Sequence, residues 1–563
     1  MIKNAADIRE GETLDSEVVI VGAGAAGIPM ALEFAEAGFQ VLLLESGEQG
    51  QNDEIQSLYS GTVTDQALHN PTDTYRQRRL GGTTAIWGGR CVPFDPIDFE
   101  KRPYLNYSGW PIKFEQLTPF FEKANDWLEA GAYDYDARTA LTPGTPEQIK
   151  GLESVRLHTN SLERFSRPTD LYIRYKRRLE LHPNLRVLSG ANCIGIRLSE
   201  QGGQVEHLEL STLAGTKFFA KGINYVLSVG GIETARLLLA SNDVNPSGVG
   251  NDHDVVGRFY QCHIAGNVGK LTFSGPIDSI HHGYDVSPEG IYCRRRIMLT
   301  ELEQKRLAVN NVVLRLHFPK IIDPSHKNGV LSSLFILKWF IRYEYAVRLK
   351  DGNEQGILHY LKHVMNIVTT PLDTLAFAFN WLRKRSLASR KFPSVILTNK
   401  SNLFSLEVHG EQEPNPESRI TLTGDKDALG VPKINIDWRY TKNDISSARK
   451  TLQVFADELE RTGLGKLEID EGRFEEELMR FGAYGGHHIG TARMGVDPET
   501  SVVDENLKVH GVSNLYIASS AVFPTSSQAN PTLTLLALGL RLVGHITLKS
   551  KDSAVQRRPS ASV

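Results

Sequence analysis

Cysteine is scarce in this chain: four in 563 residues, at Cys91, Cys193, Cys262 and Cys293. No two stand in a CxxC pair, so the sequence signals no zinc site, iron–sulfur cluster or disulfide framework, and the expected number of metal sites is none. Four scattered thiols suit buried, reduced side chains and a cytoplasmic setting. Charge of one sign is lacking too. Lys+Arg is 63 and Asp+Glu is 66, a net charge of −3, which gives no bulk attraction to nucleic acid. No long uncharged apolar run is seen, and the N-terminal MIKNAADIREGETLDSE carries acids early with no apolar core of a signal peptide. The expectation is a cytoplasmic chain, peripheral to a membrane at most. Internal repeats are not apparent.

Glycine is plentiful, at 49 residues. The first cluster follows a β-branched run, Glu17 to Val21, and reads GAGAAG, with Gly22, Gly24 and Gly27. A helical pattern then stops at Gly38, and Val41-Leu42-Leu43-Leu44 leads to Glu45. Strand, glycine turn, helix, strand and acid form a dinucleotide-binding unit. The glycines let the backbone approach a pyrophosphate at a helix N-terminus. Glu45, about 20 residues after the turn, can accept from ribose hydroxyls and would repel a 2′-phosphate. These residues alone leave FAD and NAD both open.

A second cluster, RLGGTTAIWGGRC over 79–91, sets Gly81 and Gly82 before the hydroxyls of Thr83 and Thr84. Near the C-terminus stand GGHHIGTARMG (485–495) and FPTSSQANPTLT (523–534). Together with GAGAAG and Glu45, these segments resemble the glucose–methanol–choline (GMC) oxidoreductases, most in the manner of bacterial sugar dehydrogenases and pyranose oxidases. The resemblance implies an α/β fold, a Rossmann-like FAD-binding domain interleaved with an α+β substrate domain on an antiparallel sheet. It implies FAD as cofactor, packed against by Gly81, Gly82, Thr83 and Thr84. Ile86 stands where some relatives carry a flavin-linking histidine, so the FAD is expected to be non-covalent. Further cofactor contacts carried over are Cys193 in the run Ala191-Asn192-Cys193, Gly230 in the Gly-Gly turn of 222–241, Ser519 and Ser520 in GVSNLYIASSAVFP (511–524), and Pro531 and Thr532. Cys193 replaces an expected aliphatic residue, and Ser519 an Asp.

The resemblance assigns the chemistry to His487 and Asn530. Oxidising an alcohol removes a hydroxyl proton and a carbon-bound hydride. Flavin N5 takes the hydride. An imidazole suits the proton, and an Asn amide can hold the alcohol oxygen. His488 is its neighbour, and adjacent side chains in an extended segment point to opposite faces; the family pattern selects His487. Residues Leu533 to Val543 form an apolar helix whose N-terminus favours negative charge nearby.

The implied domains are 1–100, 185–270 and 482–550 for FAD, and 101–184 and 271–481 for substrate, with 551–563 a disordered tail. Within the substrate part, 403–422 reads as two strands around a Pro-Asn-Pro turn, and KINIDW (433–438) alternates as another. Glu411 is a weak substrate candidate, with Gln412 beside it. Asp444 to Thr462 reads as a helix with a solvated face. Residues 326–391 are an aromatic-rich helical insertion; from 327 to 391 there are 11 basic and 4 acidic residues. Helical packing or a lid, a membrane surface and a docked subunit are all open for it.

The expected activity is oxidation of a CH–OH group of a sugar, glycoside or related alcohol. Electrons would pass to a separate acceptor or to oxygen, with a dehydrogenase favoured over an oxidase. The alternatives are a non-redox lyase on the same scaffold and a flavin-binding docking subunit. Flavin bleaching by a substrate separates them.

Overall fold

The computed structural model describes residues 2–168, 170–337, 356–383 and 401–556. Its first sheet grows from the run read as a strand. Thr13–Val21 ends in four buried residues, and it pairs in parallel with Val41–Leu44 on one side and Lys217–Leu227 on the other. Apolar on both faces, such strands must be covered by helices. Gly27–Glu36 covers one face, and its end is marked by Gly38 at φ +98°. Leu185–Ser189 and Ile2–Asn4 extend the parallel row beyond Val41–Leu44, and Leu515–Ile517 extends it beside Lys217–Leu227. The start of Lys217–Leu227 turns antiparallel neighbours, Val205–Ser211 and then Asn192–Leu198, onto the same sheet.

The second sheet is antiparallel along its main path. Its order is Gly465–Glu468, Ile264–Phe273, Leu403–Gly410, Val312–His317, Tyr292–Leu299, Leu157–Phe165, Arg90–Cys91. Two strands cross the boundaries drawn from sequence. Arg90–Cys91 lies within 1–100 yet pairs with Leu157–Phe165, and Ile264–Phe273 straddles 270. Sheet pairing places both in the substrate part. The expected pair around Pro-Asn-Pro also separates: Leu403–Gly410 joins this sheet, while Arg419–Lys426 pairs with Pro432–Asp437 in a small third sheet with Thr62–Val63. The eight residues between them do not close a hairpin but carry the chain from one sheet to the next.

The C-terminal helix corrects two expectations. Thr532–Gln556 continues past 551, where a tail was expected, and Thr532–Asp552 is long and apolar enough to cross a membrane by length and composition. Its apolar side chains are core instead. Leu533, Leu536, Ala537 and Leu540 are buried against Gly27–Glu36 and Phe114–Trp127. Gly539 lets the helices approach, since a Cβ there would stand 2.9 Å from Met30 Sδ. Residues 557–563 lie outside the described residues. Lys442–Thr462 is the helix expected from 444, with Ile445, Leu452, Phe455 and Leu459 buried along one face.

Of the insertion, Gly329–Ile336, Ile357–Thr369 and Pro371–Trp381 are helices. They form their own small core around Ile321, Val330, Leu331 and Phe335. The aromatic pair Trp339-Phe340 and most of the basic residues lie outside the described residues.

Candidate functional site

Four loops leave the carboxyl ends of parallel strands in the first sheet and meet at one cavity: Gly22–Gly27 after Val21, Glu45 after Leu44, Gly230-Gly231 after Leu227, and Ser519-Ser520 after Ile517. That is where open α/β sheets bind ligands. The cavity is large, about 1410 Å³. Gly22, at φ +100°, and Gly27 make the turn tight: a Cβ on Gly27 would lie 1.8 Å from Gly22 O. Gly24 and Gly230 face open space, with nothing within 4 Å of an added Cβ. Backbone bared in this way at helix N-termini fits a pyrophosphate. Glu45 is buried beside the turn and accepts from Ala23 N at 2.8 Å and Gly47 N at 3.1 Å. Burial raises its pKa, opposed by those N–H groups and Arg78.

The other candidates divide by position. Gly82, Thr83, Thr84, Cys193, Pro531 and Thr532 border the cavity. Gly27 and Gly81 do not, and act through the backbone; Gly81 stands at φ +89° and opens the short helix Gly82–Ala85. Thr84 Oγ1 donates to Gly81 O at 2.5 Å and accepts from Leu171 N, so it fastens the loop. Ser519 caps Ser520–Val522, and Ser520 Oγ donates to His488 O at 2.7 Å. Cys193 is half-buried, and burial pushes its thiol up to about 12. The residues present therefore fit FAD: a bare turn, an acid for ribose, and a wide cavity beyond them.

His487 and Asn530, 43 residues apart, are brought together: Asn530 Nδ2 lies 3.0 Å from His487 Nε2. Behind His487 stands a residue absent from the sequence reading. His263, fully buried on the loop into Ile264–Phe273, places Nδ1 at 2.7 Å from His487 Nδ1. Its Nε2 lies 3.3 Å from Ser526 O. A carbonyl only accepts, so His263 Nε2 carries the proton and Nδ1 a lone pair. His487 Nδ1 is then the donor between the rings, and His487 Nε2 is left with its lone pair towards Asn530 and the cavity. Burial first, then His263 and Arg90, lower the His487 pKa well below its ordinary value, which keeps the ring neutral.

His488 turns to other partners. Its Nδ1 lies 2.6 Å from Tyr260 Oη, which lies 2.8 Å from His69 Nε2, and His69 Nδ1 donates to Asn70 O. Both rings border the cavity, although adjacent side chains were expected to face opposite ways. The reason is backbone: Gly485 and Gly486 stand at φ +66° and +73° and break the extended path just before them. Ligand atoms of His263, His409 and His487 lie within 4.8 Å of one another, as do those of His69, Cys262 and His488. The hydrogen bonds just described, with His409 Nδ1 donating to Gln528 O at 2.7 Å, already link these groups to carbonyls, a hydroxyl and one another.

Glu411 is a correction. It is 1% exposed and does not border the cavity. Arg102 Nη1 and Nη2 grip it at 2.7 and 2.5 Å, and Asn311 N donates to it at 2.9 Å. A buried carboxylate needs such a partner, so it fastens strands and is not placed to meet substrate. Gln412 is likewise buried, accepting from Cys262 N and Trp438 Nε1.

The roof of the cavity is the charged face of the second sheet. Arg294 sits opposite Glu163, and Arg315 opposite Glu407. Arg90, Arg294 and Glu407 border the cavity. The only sequence signal for them was polar residues at every second position, as in Glu407-Val408-His409. The inner side of the insertion adds an apolar wall, with Val330, Leu334, Phe377 and Trp381 lining the same cavity. Its outer side leaves Ile357, Leu358 and Leu372 more than three-quarters exposed.

Two family models match: "GMC oxidoreductase" over residues 414–539 and "FAD binding domain" over 17–82. The chain is similar to 2-methyl-1,2-propanediol dehydrogenase of Mycolicibacterium austroafricanum, at 22% identity over 96% of this chain and 97% of that one. It is also similar to the fructose dehydrogenase large subunit of Gluconobacter japonicus, at 22% identity over 94% and 97%. Among solved structures, pyridoxine 4-oxidase from Mesorbium loti superposes with a TM-score of 0.54, at 17% identity, covering 94% of this chain and 98% of that one. At that identity the superposition speaks for the fold.

Proposed function

We propose that this chain, which matches the GMC oxidoreductase and FAD binding domain models, is an FAD-dependent GMC oxidoreductase that oxidises a CH–OH group of a sugar, glycoside or related alcohol, with His487 as the base and Asn530 holding the hydroxyl. One observation carries the reading. His487 Nε2 and the Asn530 amide stand together at the cavity, and Asn530 Oδ1 is buried without a hydrogen-bond partner. A buried acceptor left open costs stability unless a ligand fills it.

When bound, FAD supplies the acceptor for the carbon-bound hydride. The chain's own residues handle the hydroxyl. Asn530 Nδ2 has a second N–H free to hold the alcohol oxygen, and Oδ1 can take a neighbouring hydroxyl. The alcohol O–H takes the place of the Asn530 N–H at the one lone pair of His487 Nε2 and gives its proton there. His263 Nδ1 keeps that nitrogen unprotonated beforehand, because it takes the Nδ1–H of His487. Ile86, a hydrocarbon at the cavity, offers no atom for a covalent bond to the cofactor, in keeping with non-covalent FAD. The relatives named as dehydrogenases support a dehydrogenase that passes electrons to a separate acceptor.

The test is anaerobic. Sugars, glycosides and polyols are added to the yellow holoenzyme while its flavin band is followed. Bleaching by one class supports the reading and names the class; no bleaching by any of them overturns it. Air admitted afterwards separates dehydrogenase from oxidase by how fast the colour returns.

A further inference from the structure

The charges in the cavity roof do not balance. Glu163 is fully buried and serves three guanidinium groups: Arg315 Nη2 at 2.5 Å, Arg294 Nε at 3.1 Å and Arg90 Nε at 3.4 Å. Glu407 serves two of the remaining contacts, Arg315 Nη1 at 3.3 Å and Arg294 Nη2 at 3.8 Å. Three arginines thus share two carboxylates in direct ion pairs, and Arg296, two residues from Arg294 on the same strand and acting on Glu163, adds a fourth guanidinium, so positive charge is in excess. Buried charge of this kind needs a counter-ion. Arg90 and Arg294 border the cavity. Arg294 Nη2 is buried without a hydrogen-bond partner, and 3.8 Å to Glu407 is too long to make one. Glu163 is the one acid within 4.0 Å of Arg90 among the described residues, and the nearest Arg90 atom is Nε. The Arg90 side chain is 18% exposed and borders the cavity.

Arg90 and Arg294 are held apart by register. Arg90 pairs with Phe165 and Arg294 with Glu163, two residues along the same strand. Period-two alternation puts both arginines and Glu163 on one face. Glu163 therefore ties down the Nε edge of each guanidinium, and both side chains border the cavity. Two fixed donor edges on one side of a cavity suit a planar anion.

Resting on His487 and Asn530 as the reaction centre, we propose that the substrate is an alcohol that also carries a carboxylate, bound through Arg90 and Arg294. Within the sugar reading this is a uronic acid or its glycoside. Arg90 and Arg294 hold the carboxylate and so set which hydroxyl reaches His487. The imbalance of charge explains why the roof carries arginines where a neutral sugar would need only uncharged donors.

The experiment uses the FAD-loaded enzyme and needs no turnover. Acetate and benzoate are titrated against acetamide and benzamide, and the shift of the flavin spectrum is followed. The anions are expected to act at concentrations about tenfold lower or better than their amides, as hydrogen bonds to a charged group allow. Arg90→Met and Arg294→Met should reduce that preference to near one, and the exposed control Lys466→Met should keep it. Equal response to acid and amide in the unaltered enzyme overturns the proposal, whether or not the variants fold. So does a retained preference in both variants, or variants that shift only the flavin potential, which would assign the charge to the cofactor. Galacturonate, galactose and galactose 6-phosphate then compare the source of the anion. Preference for the phosphate, or for the neutral sugar, overturns the carboxylate assignment. Bleaching by neutral sugars with no anion preference leaves the proposed function standing and removes this inference; anion preference without bleaching by any alcohol overturns the proposed function, and with it the substrate assignment, and leaves only an anion site at Arg90 and Arg294.

Discussion

The two large sheets are held together by opposite means. In the first, Val18, Val19, Ile20 and the run Val41–Leu44 are buried hydrocarbon on both faces. In the second, one face carries Glu163, Arg315, Glu407 and His409, all buried, with Arg294 half-buried beside them, paired with one another or with backbone. Hydrocarbon burial is undirected and scales with area. Ion pairs in a low dielectric are directed and unforgiving, because removing one member strands the others. The apolar sheet can absorb small changes while it holds the turns that fit a cofactor. The charged sheet fixes its side chains in place, and it stands over His487.

Breaking the proposed catalytic pair should have the largest effect. His487→Ala should lower the rate of flavin reduction by the true substrate by about 10²–10⁴-fold while FAD stays bound. Anaerobic stopped-flow reduction checks it, and an unchanged rate would remove His487 from its role. Next comes the charged sheet. Glu163→Ala leaves three arginines without their shared acid and should cost about 3–5 kcal/mol in urea unfolding. A cost below that of a methyl deletion would mean that water enters the cluster and the contrast between the sheets fails.

Acid should expose the same difference. Burial pushes the Glu163 carboxyl up, but Arg315, Arg90 and Arg294 outweigh it and hold it at about 2, against an ordinary 4.5. Its folded pKa is depressed, so its contribution is whole above about 4.5 and is lost as pH falls towards 2. Stability measured from pH 6 to 2.5 should therefore drop less steeply in Glu163→Gln than in the unaltered chain. The smallest effect is expected in the first sheet. Ile20→Val should cost about 0.5–1.5 kcal/mol and leave the flavin spectrum unchanged.

How far each part could be read from sequence follows the same division. Strand Thr13–Val21, the turn at Gly22 and Gly27, the helix to Gly38 and Glu45 are local features, with glycine placed where φ is positive or a Cβ would collide. His487 and Asn530 were legible through motifs. His263 was not, because nothing near it in the chain marks it; it matters only through a contact 224 residues away. Glu411 misled because an acid at the end of a strand looks available until Arg102, 309 residues distant, is found gripping it. The path of Leu403–Gly410 and Arg419–Lys426 into different sheets was invisible for a like reason, since pairing partners are chosen in space.

What the sequence by itself determined is the nucleotide-binding half and the motifs that carry His487 and Asn530, the residues proposed to meet a hydroxyl. Periodicity, glycine and capping act over a few residues, so the order of letters is enough. What only the tertiary structure decided is the protonation of His487 and the charge of its cavity. Both depend on hydrogen bonds and ion pairs between strands far apart in the chain, and on the low dielectric that burial creates around them.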